Sequence, residues 1–447
     1  MLGRSLFHLS RQAISKSSTR CLTTPSTVNR MPTGIHHINS LRHHAMSKLR
    51  PRSTTTPNLV LKNTSRSHQT AYTEHLTNYR HLSTWIFGCS GMVFGMVVVG
   101  GSTRLTRSGL SMTDWSITGS RLPMNEETWS IEFQKYKDFP EYKRLNMSMT
   151  LEEFKSIYWW EWAHRMWGRA IGVVFVLPWL YFVAKRNVPK EFRNRFMLLL
   201  GMGGMQGLVG WWMVKSGLEH EHIFGIERSE HDTPRVSPYR LATHLSMAFA
   251  TYGLLTFTGM DLYRKSILPK IANGIESQQG HTTSTSVLRA LKRLRGVSVF
   301  MSGVVGVTVL SGAFVAGNDA GRAYNDWPLM AGEWIPLEIW DETLGLRNFF
   351  ENTATVQFDH RMLATATVAS VGTVLFLASR KGVWQILPPE AKAAVLTMAG
   401  VTVGQFTLGV TTLINYVPVY LGVAHQAGAL TTWTAAVVLL NMLKHVK

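Results

Sequence analysis

The chain has 447 residues, with 46 Lys and Arg against 27 Asp and Glu, a net charge of +19. Such an excess points to an anionic membrane surface or to nucleic acid as a partner. Cys21 and Cys89 are the two cysteines, which excludes a disulfide framework and a cysteine-built metal site.

The charge is concentrated at the start. No Asp or Glu precedes Glu74, whereas that stretch holds 11 Lys and Arg and many Ser and Thr. An acid-free, basic, Ser-rich leader without a long apolar run reads as a mitochondrial transit peptide, with a disordered N-terminus over 1–75. A disordered basic tail that binds nucleic acid is the competing reading. The embedding of the remaining chain in a membrane argues against it, so no nucleic-acid partner is expected.

Apolar runs long enough to cross a hydrocarbon core of about 30 Å follow in order. They lie at 84–101, 170–184, 196–214, 241–260, 296–318 and 362–379. The last run, 393–443, has no Asp, Glu, Lys or Arg and is too long for one span; Asn415 and Pro418 divide it in two. The expected fold is therefore an all-α membrane protein with eight transmembrane helices. Lys and Arg gather in the loops after the second span (Lys185, Arg186, Lys190, Arg193, Arg195) and the fourth (Arg264, Lys265, Lys270, Arg289, Lys292, Arg293, Arg295). The positive-inside rule puts these loops and both mature termini in the matrix. The opposite loops, with Glu219 to Asp232 and Glu333 to Glu351, then face the intermembrane space.

The chain also repeats itself. Glu161-Trp-Ala-His164-Arg165-Met166 recurs as Gln357-Phe-Asp-His360-Arg361-Met362. Gln206 with Gly210 recurs as Gln405 with Gly409, and Ala242-Thr-His244 as Val423-Ala-His425. Four spans separate equivalent elements, so both copies have the same topology. The expectation is two tandem four-helix bundles, 80–262 and 295–447, joined by a matrix linker over 263–294. A pseudo-two-fold axis along the membrane normal relates them.

Each half places one histidine at the start of its second span and one at the start of its fourth, all near the intermembrane-space side. A histidine inside an apolar span is rare and faces the bundle interior. Taken singly, each reads as a hydrogen-bonded core residue. Four in a repeated pattern read as ligand pairs, His164 with His244 and His360 with His425. Neutral imidazoles on facing helices can hold a haem iron from both sides. Arg165 and Arg361 follow two of the histidines, with Arg169 and Arg240 close by. Guanidinium groups bind carboxylates such as haem propionates bidentately, and bind lipid phosphate equally well. The Gly-rich exits from the first and fifth spans, 100–111 and 316–330, carry Arg104 and Arg322. They either bring backbone to a haem edge or are ordinary turns. His220, His222 and His231 read as a solvated loop, with a copper or zinc site as the alternative.

The halves differ at one position. Gln357 stands where the first half has Glu161, three residues before a histidine on the same helix face. One reading makes Glu161 a general base or a stabiliser of developing positive charge. The other pairs it with Arg165 or Arg104 as a salt bridge. The asymmetry suggests chemistry in the first half and a permanent haem in the second.

At these residues the chain resembles the haem A synthases, specifically the mitochondrial form. The likeness rests on Gly100-Gly-Ser-Thr-Arg104-Leu-Thr-Arg107-Ser-Gly-Leu-Ser111, Glu161-Trp-Ala-His164-Arg165-Met-Trp-Gly-Arg169, Gly312-Ala-Phe-Val-Ala-Gly-Asn-Asp-Ala-Gly321 with 325–330, and Gln357-Phe-Asp-His360-Arg361. It covers about residues 80 to 443. The resemblance implies oxidation of the C8 methyl of haem O to a formyl group, giving haem A for cytochrome c oxidase. It further implies that His164 and His244 bracket the substrate haem O, that His360 and His425 ligate a haem b cofactor, and that Glu161 is the catalytic glutamate. A ferredoxin-type redox partner, haem O synthase upstream and a homo-oligomer are implied as well. The cysteine pair of some bacterial members is missing from the first outer loop, so its redox role does not transfer. A bis-His di-haem b electron-transfer cytochrome is the alternative, and Glu161 opposite Gln357 argues against it. A haem transporter would need a path across the membrane, whereas the four histidines lie at one face.

Overall fold

A computed structural model of the chain describes the backbone of residues 58–218, 235–275 and 285–444. The basic leader, apart from the backbone of 58–75, and the histidine loop with His220, His222 and His231 lie outside the described residues. Among those described, the regular structure is helical, with one isolated antiparallel bridge between Met330 and Glu333.

The elements in order are α1 (Asn58–Leu105), α2 (Glu126–Lys137), α3 (Pro140–Leu145), α4 (Leu151–Ala184), α5 (Lys190–Leu218) and α6 (Pro238–Ile275). Then come α7 (Thr285–Gly317), α8 (Asn348–Glu351), α9 (Thr353–Ser379), α10 (Lys381–Ile386), α11 (Pro389–Ile414) and α12 (Val419–Leu443). Seven of these are long and apolar enough to cross a membrane: Leu76–Leu105 of α1, α4, α5, α7, α9, α11 and α12. Helix α6 is as long but more polar. Its polar groups meet neighbouring helices: Ser83 donates to the Gly259 carbonyl, Ser90 pairs with Thr256, and Tyr252 with Thr434. Such contacts are the usual glue between helices in a membrane.

The expected break in the last apolar run is present. α11 ends at Ile414, Asn415 caps it, and Tyr416 and Val417 take positive φ before Pro418 starts α12. The second span, in contrast, does not begin near His164. α4 starts at Leu151, where Thr150 and Glu153 form a reciprocal capping box. His164 is therefore well inside a helix whose first turns precede the apolar run. Those turns carry a small aromatic core of Phe133, Tyr136, Phe154 and Tyr158, which docks α2 and α3 on α4. The ring pairs Phe133–Phe154 and Tyr136–Phe154 stack at 4.9 and 5.2 Å.

Two larger apolar cores fill the helical body. One is built from α1, α4, α5 and α6 around Leu82, Ile86, Phe196 and Leu262. The other joins α7, α9, α11 and α12 around Leu294, Met301, Met398 and Leu439. Trp433 of α12 packs against both, and its indole N–H donates to the Phe249 carbonyl of α6. At the far end of α6 the buried carboxylate of Asp261 accepts from Arg195, Asn441 and Lys444, tying α5, α6 and α12 together. The outward faces of α4 and α5 remain apolar: Val173, Leu177, Leu180, Met197, Leu198 and Leu208 are exposed. Lipid is the medium that suits such a surface.

Candidate functional site

The four histidines sit on α4, α6, α9 and α12, all partly buried. Each ring lies against a glycine of another helix: His164 on Gly100 of α1, His244 on Gly210 of α5, His360 on Gly312 of α7, and His425 on Gly409 of α11. A Cβ on those glycines would stand 2.8 to 3.1 Å from the rings, so only glycine lets the histidines lie flat there. This gives the Gly210 and Gly409 repeats a structural reason.

His360 and His425 face each other. Their ring centroids are 6.5 Å apart and the rings are perpendicular. A metal held at about 2 Å from one nitrogen of each ring leaves the centroids about 6 Å apart. The pair thus fits a six-coordinate iron between two imidazoles. Buried polar atoms without a partner include Nδ1 of His244 itself and Oε1 of Gln206 and Gln405, whose amide nitrogens reach His244 and His425. Among the described residues, no group of three or more His, Cys, Asp or Glu forms a separate metal cluster. The donor set fits a haem, which brings four equatorial ligands of its own, better than a bare ion.

Glu161 is 2 % exposed. Its Oε2 accepts from the Ser111 hydroxyl at 2.7 Å and from the Met112 backbone N–H at 2.8 Å. Its Oε1 accepts from Arg165 at 2.7 Å. Arg165 also donates to the carbonyls of Met112 and Asp114, and Arg169 to those of Ser116, Ile117 and Arg165. Glu161, Arg165 and Arg169 together lace the segment 111–117 onto α4. The salt bridge to Arg165 is therefore the contact that the geometry realises, and Arg104 takes no part in it.

The second half carries the same device with reversed polarity. Gln357 Nε2 donates to the carbonyls of Ala320 and Tyr324, at 2.7 and 3.2 Å. Its Oε1 accepts from Arg361 at 2.8 Å, and Arg361 donates to the carbonyls of Leu329 and Tyr324. The first loop presents donors and meets a carboxylate; the second presents carbonyls and meets an amide. The difference between Glu161 and Gln357 thus has a structural account beside the catalytic one.

The other arginines divide in the same way. Arg104 donates to the Ala316 carbonyl and to Asp319, at 2.8 and 3.2 Å, which joins the two Gly-rich exits to one another; its Nε has no partner. Arg240 donates to the Trp212 carbonyl and lies 4.5 Å from the Trp212 ring. Arg322 is exposed at the end of a short 3-10 turn. Of the propionate candidates, Arg165, Arg169 and Arg361 direct their guanidinium groups at loop carbonyls. Sequence reasoning missed Ser311, whose hydroxyl lies 2.8 Å from Nδ1 of His360. No motif marks a lone serine in an apolar helix.

The family model for cytochrome oxidase assembly proteins of the COX15-CtaA type matches residues 83–437. The chain belongs to this family. It is 48 % identical over 360 residues to a protein of Arabidopsis thaliana named haem A synthase COX15, covering 80 % of this chain and 74 % of the relative. To the haem A synthase of Paracoccus denitrificans it is 40 % identical, over 78 % of this chain and 84 % of that one. A third relative, from Schizosaccharomyces pombe, is a fusion named haem A synthase–mitochondrial ferredoxin. The identity there is 42 %, over 81 % of this chain and 60 % of the fusion. The matched region contains both histidine pairs and excludes the basic leader.

Proposed function

We propose that the chain is a haem A synthase, a membrane oxidoreductase that converts the C8 methyl of haem O to a formyl group. The observation that carries the reading is the opposed His360–His425 pair, spaced for one iron, in a chain that repeats the same histidine positions on α4 and α6. The eight long helices form two four-helix halves, 80–262 and 295–447. The first half takes haem O between His164 and His244. The second holds haem b between His360 and His425, and this haem supplies one-electron transfer when bound. Arg104, with its free Nε, would be available to a propionate, and Glu161 would stabilise positive charge or accept a proton as the methyl is oxidised. The named fusion with a mitochondrial ferredoxin supports a ferredoxin-type redox partner. Haem O synthase upstream and a homo-oligomer complete the reading by resemblance. The protein resides in the mitochondrial inner membrane, with both mature termini in the matrix and the histidines toward the intermembrane space.

Haem extraction from the purified protein and its variants tests this. His360→Ala or His425→Ala should remove the low-spin haem b spectrum, because one axial ligand alone holds the iron poorly. His164→Ala or His244→Ala should spare that spectrum and weaken haem O binding. A low-spin haem b signal that survives His360→Ala overturns the assignment of the halves.

A further inference from the structure

The two histidine pairs differ in what holds their rings. Ser311 precedes Gly312 on α7, and its Oγ lies 2.8 Å from Nδ1 of His360. The same hydroxyl donates to the Thr308 carbonyl at 2.8 Å. A hydroxyl has one proton, so with that proton on Thr308 the Ser311 oxygen is an acceptor toward the ring. Nδ1 of His360 then carries the imidazole N–H, and the lone pair of the neutral ring sits on Nε2. Thr308 is itself fixed, since its hydroxyl contacts the Val304 and Leu363 carbonyls and Thr367, which locks α7 to α9. On α11, the Gln405 amide nitrogen donates to the His425 carbonyl at 2.9 Å, as Gln206 does to that of His244, and lies 3.0 Å from Nδ1 of His425. An NH2 group offers no lone pair to a ring N–H, so it does not make His425 an Nε2 donor.

The first pair lacks an acceptor of the Ser311 kind. Nδ1 of His244 is buried with no partner. Gln206, which corresponds to Gln405, reaches the His244 carbonyl at 2.9 Å and not the ring. Among the described residues, no hydrogen bond engages the His164 ring.

We propose that Ser311 is a positioning residue that fixes His360 as an Nε2 donor. This makes the second pair the retaining haem site and leaves the first pair as the site that releases its haem. The proposal rests on the reading that His360 and His425 ligate haem b. It is also what a synthase requires, since one haem stays and the other must leave as product. Second-shell partners of a ligating histidine orient the ring and raise its basicity, and their loss typically costs about 10- to 100-fold in metal affinity.

The test is haem transfer from purified, haem-loaded protein to apomyoglobin, followed with the midpoint potential of the low-spin haem. Ser311→Ala removes the acceptor. The near-isosteric pair Ser311→Thr and Ser311→Val separates the hydroxyl from side-chain shape, should Ser311→Ala fail to accumulate. We expect Ser311→Ala and Ser311→Val to lose haem b about 10- to 100-fold faster and to titrate at a higher potential, with Ser311→Thr close to the native serine. In the native protein, the haem of the first pair should leave faster than haem b. If His360→Ala abolishes the haem b signal while the Val and Thr variants hold haem equally well at one potential, the role of Ser311 is refuted and the site reading stands. If His360→Ala leaves the signal intact, the site reading itself falls. Release from the first pair as slow as from the second overturns the retaining-and-releasing division.

Discussion

Replacing Glu161 by glutamine tests whether the carboxylate acts through the loop it holds. Oε2 faces two donors, Ser111 Oγ and the Met112 N–H, while Oε1 faces a third, Arg165. An amide cannot accept on both sides. With its oxygen toward Met112 its NH2 meets the guanidinium; turned over, its NH2 meets the Met112 N–H. This second orientation is the one that Gln357 takes, with Oε1 toward Arg361, so Met112 is the donor left stranded. Ser111 can rotate its hydroxyl away, but Met112, 3 % exposed, cannot redirect a backbone donor. Losing a charge-assisted hydrogen bond costs about 1.5–3 kcal/mol, and a stranded buried donor about 1–3 kcal/mol. The two partly overlap, so the local cost is about 3 kcal/mol, or about 100-fold in the opening equilibrium. Hydrogen exchange read on peptides covering 106–117 should therefore show the Met112 amide exchanging about 100-fold faster than in the native protein. The segment 320–329, held by Gln357 and Arg361, should be unchanged and serves as the internal control. Unchanged exchange at Met112 would refute the anchoring argument. Haem A formed per molecule, measured on the same preparation, then addresses the proton role: normal output removes it, and accumulated haem O supports it.

Two further predictions concern topology and pH. Protease added to mitoplasts should cut the loops 101–160 and 318–356 and spare 263–295; cleavage confined to the last segment would invert the orientation. In the cap built from α2, α3 and the start of α4, burial pushes the Glu141 carboxyl from the ordinary 4.5 up to about 7; the Glu161 carboxylate adds to the rise, while Tyr136, donating at 3.0 Å, and Arg107 and Arg104 oppose it. A raised carboxyl leaves stability intact below about pH 4.5 and removes it as pH climbs through 7, a loss of about 3 kcal/mol when complete. Glu141→Gln should then protect the cap from proteolysis at pH 8 and make little difference at pH 4.5; equal protection at both values would show that the carboxyl carries no such cost.

Much of the fold was legible because lipid imposes a simple rule on sequence: a long apolar run must satisfy its own backbone, and does so as a helix. The runs and the break at Asn415 and Pro418 follow from that rule. The boundaries were less legible where water replaces lipid. The first turns of α4 carry Glu152, Glu153 and Lys155 among Leu151, Phe154, Ile157 and Tyr158, an amphipathic pattern too polar to count as part of the apolar run, so the start of the helix emerges only with the capping box and the docking of α2 and α3. The histidines were legible as a repeat, and their glycine seats were half visible in Gly210 and Gly409. Ser311 was invisible, because a hydroxyl in an apolar helix has a bland use in bonding its own preceding turn, and Ser298, Ser302 and Thr367 all do so. What distinguishes Ser311 is the neighbour across the helix interface, which only the fold supplies.

The comparison of the halves changes where the functional asymmetry is to be sought. From the sequence, Glu161 opposite Gln357 looks like the mark of chemistry in one half, and it was the feature that argued against a plain di-haem cytochrome. In the fold, both residues do the same mechanical work with a following arginine, and the choice of acid or amide matches the polarity of the loop each one meets. That weakens Glu161 as a discriminator, and the distinction from a cytochrome rests instead on the family to which the chain belongs. A second asymmetry survives this levelling. The loop contacts are paired across the repeat, but the hydrogen bonds to the imidazole rings are not: Ser311 offers an acceptor to His360, and among the described residues no hydrogen bond engages the rings of His164 and His244. On the proposed reading of the histidines as haem ligands, a cytochrome with two permanent haems has no reason to leave one pair unsupported. An enzyme that must admit one haem, modify it and let it go does have a reason, because each second-shell bond that steadies a ligand also slows release.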